Sequence, residues 1–233
     1  MILRVLAMLL SFTSLAHAER LAPDPMVVRE AVVQVWGART LGAKGLFGVH
    51  TWVAVKPTNA LEWTIYEVIG WRLRWNDSAL VIRQRQPDTW FGSKADLYAD
   101  RRGPGVDELI KRIDEAAKDY PYAKEYTLWP GPNSNTFTAW IGRAVPELGI
   151  DLPATAIGKD FTGTQVFSRA PSGRGVQMSL GGVFGFSASG VEGIELNLLS
   201  LNFGVSGSGI KLPLIGRIGS PSFPDAVAEP ATP

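Results

Sequence analysis

The sequence predicts an α+β fold in which antiparallel strands come first, two helices follow, and further strands end the chain. Alternating apolar and polar residues predict strands in the first third, and a 3.6-residue apolar period around Ile110 predicts a helix. A glycine-rich alternating segment begins near Gly173. Because strands and helices occur in separate runs, we expect α+β and not a regularly alternating α/β fold.

Four strands are expected before the first helix, and β-branched residues or alternation support each of them. They are Ala31–Trp36, His50–Val55, Trp63–Trp71 and Ala79–Gln84. The second and third are separated by the short turn KPTNA and should form an antiparallel hairpin.

Two helices should follow these strands. The stretch GVDELIKRIDEAAKDYP has one apolar face, Asp107 and Glu108 in its first turn, and Pro121 after its end. The stretch GPNSNTFTAWIGRAVPEL supplies the second helix, which Pro146 should close.

Domain boundaries follow from these elements. Residues 27–172 are predicted to form the α+β core domain, and residues 173–220 extend it with glycine-rich strands. The Pro-rich residues 221–233 should be a disordered tail. Within the extension the apolar positions change parity between Leu198 and Leu199, which predicts a β-bulge.

The first residues have the pattern of a secretory signal peptide, assigned to residues 1–18. Arg4 precedes the apolar run Val5–Leu15, and a small-x-small site ends at Ala18. The run is shorter than the roughly 20 residues of a spanning helix, so we expect cleavage and an exported protein, periplasmic or otherwise extracytoplasmic. An uncleaved anchor is the alternative. We expect no transmembrane span elsewhere.

Composition excludes several classes of function. The 233 residues are 45% hydrophobic and 19% charged, and the formal net charge is +1. This chain lacks the concentrated basic face of nucleic-acid binders, so no nucleic-acid partner is expected. It has no cysteine and only two histidines, His17 and His50. Thiolate catalysis, cysteine-ligated zinc and a zinc site of two or three imidazoles in the mature chain are therefore excluded, and we expect no metal and no cofactor.

Three residues could form a catalytic group. Ser134 stands where the second helix opens, as a nucleophile or as the helix N-cap. His50 could be its base, or a structural imidazole. Glu67, the only charged residue in TIYEVIGW, could orient the imidazole or form an ion pair with Arg72 or Arg74. One strand register places His50 and Glu67 side by side, whereas a slip of one residue places them on opposite faces.

Other polar and aromatic residues could line a binding cleft. The polar candidates are Asn133, Asn135 and Asp160, and the aromatic candidates are Trp52 and Trp71. All eight tryptophans precede residue 141, and most should lie in the core. An exposed ring could contact a flat or glycan-like ligand.

Several stretches resemble one uncharacterised, mainly bacterial family, domain of unknown function 3750. They are VQVWGARTLGAKGLFGVHTWVAVKP, YEVIGW, WPGPNSNTFTAWIGRAVPELGIDLPATAIGKD, PSGRGVQMSLGG and LPLIGRIG, which span Val32 to Gly219. The resemblance implies membership and no activity.

The order of a histidine at a strand start, a sheet and a helix opening like N-C-x-x-F also resembles circularly permuted papain-like folds, including lecithin:retinol acyltransferase-like and amidase families. In that resemblance His50 matches their histidine and Ser134 stands where they have cysteine. Two functions stay open: a non-catalytic or vestigial scaffold that binds an envelope peptide, glycan or lipid, and a serine-dependent amidase, esterase or acyltransferase.

Overall fold

A computed structural model describes residues 22–219, which form an α+β architecture with two larger antiparallel sheets and two α-helices. The predicted signal peptide (residues 1–18) and tail (residues 221–233) lie outside these residues. Between residues 22 and 219, no helix is long and apolar enough to cross a membrane.

The strands before the first helix are β1 (Val32–Arg39), β2 (Val49–Lys56), β3 (Thr64–Val68), β4 (Leu80–Gln84), β5 (Thr89–Trp90), β6 (Ser93–Lys94) and β7 (Asp96–Arg102). Five of them form the first sheet in the order β4-β3-β2-β1-β7, which contains the four predicted strands and one further strand, β7. Short 3-10 helices occupy Gly42–Leu46 and Gly70–Arg74. The latter ends β3 earlier than the predicted Trp71.

Both faces of this sheet are buried. Odd-numbered residues of β1 and β2, such as Val35 and Val53, pack against helices α1 (Val106–Lys118) and α2 (Ser134–Ala144). Even-numbered residues pack in a second cluster, which contains Trp36, Trp52, Trp63 and Trp90. Thr51 therefore faces the helices, whereas His50 faces the tryptophan side.

A 3-10 helix at Pro146–Leu148 follows α2, and the second sheet then contains seven strands that pair strictly in chain order. They are β8 (Phe167–Ser168), β9 (Val176–Leu180), β10 (Phe184–Ser189), β11 (Gly193–Leu198), β12 (Leu201–Ser206), β13 (Gly209–Leu212) and β14 (Gly216–Ile218). The predicted β-bulge is wrong. Leu199 and Ser200 instead form a two-residue hairpin turn, with φ of +54° and +61°.

The second sheet has its polar face inside and its apolar face outside. Inward positions carry Gln177, Ser179, Glu195, Asn197 and Lys211, all buried. The outward positions of β9–β12 share an apolar character without exception: Val176, Met178, Leu180, Phe184, Phe186, Ala188, Ile194, Leu196, Leu198, Leu201, Phe203 and Val205.

A buried ion network lies beneath the polar face. Glu195 forms ion pairs with Lys159 and Lys211, and Lys211 also pairs with Asp151. Burial alone would raise the pKa of Glu195, but the two ammonium groups keep it below its usual value. Since buried charges need partners, this network holds the second sheet to the segment that follows α2.

Candidate functional site

The structure brings His50 and Glu67 together on the tryptophan side of the first sheet. β2 and β3 pair Val53 with Tyr66 and Ala54 with Ile65, so even positions of β2 share a face with odd positions of β3. The His50 Nε2 atom lies 2.9 Å from a Glu67 carboxylate oxygen. The register is therefore the one that places the two side chains on one face.

Two arginines hold the other Glu67 oxygen. Arg83 donates through Nη2 at 2.8 Å and through Nε at 3.1 Å, and the Arg85 Nε atom lies at 3.5 Å. Burial would raise the pKa of Glu67, but His50, Arg85 and Arg83 together lower it to about 2. The prediction of an ion pair with Arg72 or Arg74 is wrong. Glu67 pairs with Arg83 of β4 and with Arg85 just beyond it, because β4 is the strand next to β3.

Burial of His50 favours the neutral form of its imidazole. Burial lowers its pKa, and this effect exceeds the opposing influence of Glu67. A neutral imidazole that donates from Nε2 to a carboxylate has its lone pair at Nδ1. The His50 ring stacks on the Trp90 ring, with centroids 4.4 Å apart, and this contact fixes the orientation of the imidazole.

The N-cap of α2 is Asn133, not Ser134. The Asn133 side chain accepts hydrogen bonds from the backbone N–H groups of Asn135 (2.9 Å) and Thr136 (3.2 Å). The Thr136 hydroxyl accepts from the Asn133 N–H at 3.1 Å, which completes a capping box. Because Asn133 caps the helix, Ser134 is the first helical residue and is not needed as the cap.

Of the three predicted catalytic residues, His50 and Glu67 are joined by a hydrogen bond, and Ser134 lies on another element, α2. α2 packs on the Thr51 side of β2, where the Thr51 hydroxyl is 2.8 Å from that of Thr138. His50 projects from the other face of the same strand. Within residues 22–219 no hydrogen bond joins Ser134 to His50; Ser134 interacts instead with Tyr126, whose pKa is raised by burial and lowered in part by that contact.

Two adjoining cavities lie beside these residues and together form what we call the cleft. The larger, about 440 Å³, is lined by His50, Trp71 and Trp90 among others. The smaller, about 330 Å³, is lined by Ser134, Trp129 and Leu201 among others. Four residues contribute to both cavities: Thr40, Lys44, Tyr126 and Leu128.

The cleft is apolar and cationic. Its charged lining residues are Lys44 and Arg74, and none of its lining residues is acidic. Trp129 and Leu128 are each about half exposed, at 51% and 49%. Such a surface favours an apolar ligand with an anionic group.

The predicted binding residues divide into those that reach the cleft and those that do not. Trp71, Asn133 and Asn135 line it. Trp52 is fully buried behind His50 and donates its indole N–H to the Pro87 carbonyl at 3.0 Å. Asp160 lies under the second sheet, where its carboxylate is 3.2 Å from Lys159. Trp52 and Asp160 therefore have structural partners instead of ligand-facing positions.

Comparison with known proteins assigns the chain to a family. The sequence model described as "Protein of unknown function (DUF3750)" matches residues 30–161, more than half of the chain. The chain belongs to the DUF3750 family. The segment that matches DUF3750 contains the first sheet, both helices and most of the cleft lining, but it ends before the second sheet. No curated protein and no solved structure matches.

The walls of the DUF3750 cleft include residues that sequence reasoning missed. Lys44 comes from the 3-10 helix at Gly42–Leu46, and Tyr126 and Leu128 come from the loop before α2. No pattern in the sequence shows that these residues come together, because they meet only when β2 and α2 pack. Weak signals exist near each of them: the apolar stretches LFG after Lys44 and LW before Pro130 place exposed apolar residues in loops.

Proposed function

We propose that this protein is an exported, non-catalytic binding protein of the cell envelope whose cleft takes a lipid-like amphiphile: an apolar chain with an anionic head. The observation that carries the proposal is a cleft with apolar walls, two cations and no carboxylate in its lining. Buried apolar area drives binding of the chain, and Lys44 or Arg74 would attract the head group.

The polar groups of the cleft favour a lipid over a glycan. Asn133 donates to the carbonyls of Leu128 and Ile157, each at 3.1 Å, while its oxygen caps α2. Asn135 donates to the carbonyls of Val49 (3.0 Å) and Ile157 (2.7 Å). Since a sugar needs several convergent donors and acceptors, and these amides are already engaged, the cleft offers little to hydroxyl groups.

The placement of His50 argues against serine-dependent hydrolysis. A base must come within about 3.2 Å of the hydroxyl that it deprotonates, or act through one water. Glu67 engages the Nε2 atom of His50 and leaves Nδ1 as the atom that could act as a base, but α2 packs on the opposite face of β2. Among residues 22–219 no hydrogen bond joins the Ser134 hydroxyl to His50, which supports the binding function over hydrolysis.

Titration with a fluorescent fatty acid, dansyl-undecanoate, tests the proposal. We expect saturable binding that weakens about fivefold in Lys44→Gln, as loss of one partly exposed ion pair implies. The methyl ester of the same probe should bind wild type and Lys44→Gln equally. Lys124→Gln, which removes an exposed lysine outside the cleft, is the matched control.

Two results would overturn the proposal. The first is the absence of probe binding, or binding that is unchanged in Leu128→Asp, which places a carboxylate in a wall shared by both cavities. The second is labelling of Ser134 by a fluorophosphonate that is lost in His50→Ala, which would establish the hydrolase alternative.

A further inference from the structure

The outer face of β9–β12 is a continuous apolar surface, which we call the apolar face. Its eleven bulky side chains are each between 36% and 64% exposed. At roughly 150–250 Å² for the largest side chains, this amounts to on the order of 1,000 Å² of apolar surface. The largest apolar patch on a typical monomer is about 300–600 Å², so this face needs a partner.

The composition of the apolar face points to hydrocarbon. Protein interfaces carry about one hydrogen bond per 100–200 Å², and beside phenylalanine and methionine they are enriched in tyrosine, tryptophan and arginine, which bring polar groups. The outward positions of β9–β12 contain no polar side chain, and the central ones are Phe186, Leu196 and Phe203. Such a surface offers a protein partner no polar groups, but it matches lipid acyl chains.

The exposed charges within residues 162–219 are all cationic. Within residues 162–219 the only acidic residues are Glu192 and Glu195, and both are buried. The exposed charged residues of that segment are Arg169 and Arg174, which lie in the β8–β9 connection. Among residues 22–219 neither arginine forms an ion pair within 4.0 Å. Arg174 donates its Nε–H to the Pro146 carbonyl at 3.1 Å, whereas the Arg169 guanidinium is available to anionic head groups.

A cation and a tryptophan also lie at the turns β13–β14 and β11–β12 of the second sheet. Arg39 donates to the carbonyls of Leu214 (2.9 Å) and Ile215 (3.2 Å) in the β13–β14 turn. The indole N–H of Trp129 is 3.4 Å from the Leu199 carbonyl in the β11–β12 turn. Cations and a half-exposed tryptophan at the border of an apolar surface are typical of a membrane–water interface.

We propose that the apolar face docks onto a lipid bilayer that contains anionic phospholipid, with β9–β12 in contact with the acyl region and Arg169 at the head groups. This inference does not depend on the ligand of the cleft. Leu201 belongs to the apolar face and also lines the smaller cavity, so docking would bring the cleft beside the bilayer.

A single-cysteine label provides the test, because the chain has no cysteine of its own. Leu196→Cys is labelled with an environment-sensitive fluorophore in protein processed from the full chain, with the N-terminus established by mass spectrometry. Vesicles containing phosphatidylglycerol should shift its emission to the blue. Ile82→Cys on β4, an exposed apolar position of the first sheet, is the matched control and should not shift.

Flotation with the same vesicles measures the contribution of individual residues. Phe203→Glu should abolish flotation, while Ile82→Glu should retain it. Arg169→Gln should weaken binding to anionic vesicles about fivefold and leave neutral phosphatidylcholine vesicles unaffected. Circular dichroism checks that Phe203→Glu is folded, and the Leu196→Cys label provides a reading that does not require that variant.

Two variants distinguish membrane docking by the apolar face from ligand binding in the cleft. Leu128→Asp should lose the fatty acid and keep vesicle binding, whereas Phe203→Glu should do the reverse. Absence of a blue shift at Leu196→Cys, with no flotation, overturns membrane docking. A dimer in lipid-free solution that Phe203→Glu converts to a monomer, again without flotation, would assign the face to a second copy of the chain.

Discussion

Neutralising Glu67 should remove a pH-dependent part of the stability. The pKa of Glu67 is lowered from its ordinary 4.5 to about 2. Because the folded value lies below the unfolded value, ionised Glu67 stabilises the fold fully above about pH 4.5, and this contribution is lost as the pH falls through 2. The difference corresponds to about 3 kcal/mol.

Urea unfolding of Glu67→Gln, followed by tryptophan fluorescence at a series of pH values, measures this contribution. At pH 7 the variant should unfold at a urea concentration roughly 1–2 M lower than wild type does, given typical urea slopes. The difference should shrink towards zero between pH 5 and pH 2, since protonated glutamic acid resembles glutamine.

A matched control uses the same substitution at the surface. Glu147 forms an ion pair with Arg112 at 2.7 Å, and its side chain is 52% exposed. Glu147→Gln should therefore cost less than about 1 kcal/mol at any pH. The reasoning is refuted if Glu67→Gln shows the same deficit at pH 2 as at pH 7, or no deficit at all.

Three further predictions concern neighbouring residues. Wild-type stability should rise from pH 5 to pH 7, because folding keeps His50 neutral below its unfolded pKa, and His50→Gln should flatten that slope in thermal unfolding. Asn133→Ala should cost about 1–2 kcal/mol in urea unfolding, whereas an equal or larger cost for Ser134→Ala would contradict the assignment of the cap. Gly158→Ala should also destabilise by about 1–3 kcal/mol, since its φ is +98° and a Cβ would lie 2.3 Å from Asn133; an unchanged urea midpoint would disprove the clash.

Periodicity predicted the elements whose residues alternate clearly. α1 begins and ends inside the predicted stretch, and β2 and β4 extend or shorten the predicted strands by a residue or so. β7 was missed because Asp96, Asp100 and Arg102 give it a polar character. It forms because β1 offers an open edge, where the Gln34 side chain donates to Asp100 at 2.9 Å.

The hairpin turn at Leu199 shows where parity is ambiguous. A change of parity is compatible with a bulge or with a two-residue turn, and Leu-Ser lacks the Asn-Gly signature of such turns. The tight turn is held in part by the Ser200 hydroxyl, which donates to the Gly182 carbonyl at 2.8 Å. The conformation of the Leu199–Ser200 turn thus depends in part on Gly182, which lies 18 positions away in the sequence.

The candidate site was only partly accessible to sequence reasoning. Parity placed His50 and Glu67 in the same hairpin but left their register open. It also gave no information on which face of β2 would receive α2. The contacts of Thr51 with α2 show that it is the face opposite His50, and these contacts involve residues more than 80 positions apart.

The strict chain order of the second sheet bears on the sequence of folding events. Val32 must pair with Arg102 to complete the first sheet, whereas each strand from β10 to β14 pairs with its immediate predecessor through a short turn. Short loops close at low entropic cost and therefore fast. Pulsed hydrogen exchange should find amides of β10 and β11 protected before those of β1 and β7. The apolar face would then exist while much of the chain is still unfolded, and this is the interval in which newly made chains associate most readily with one another.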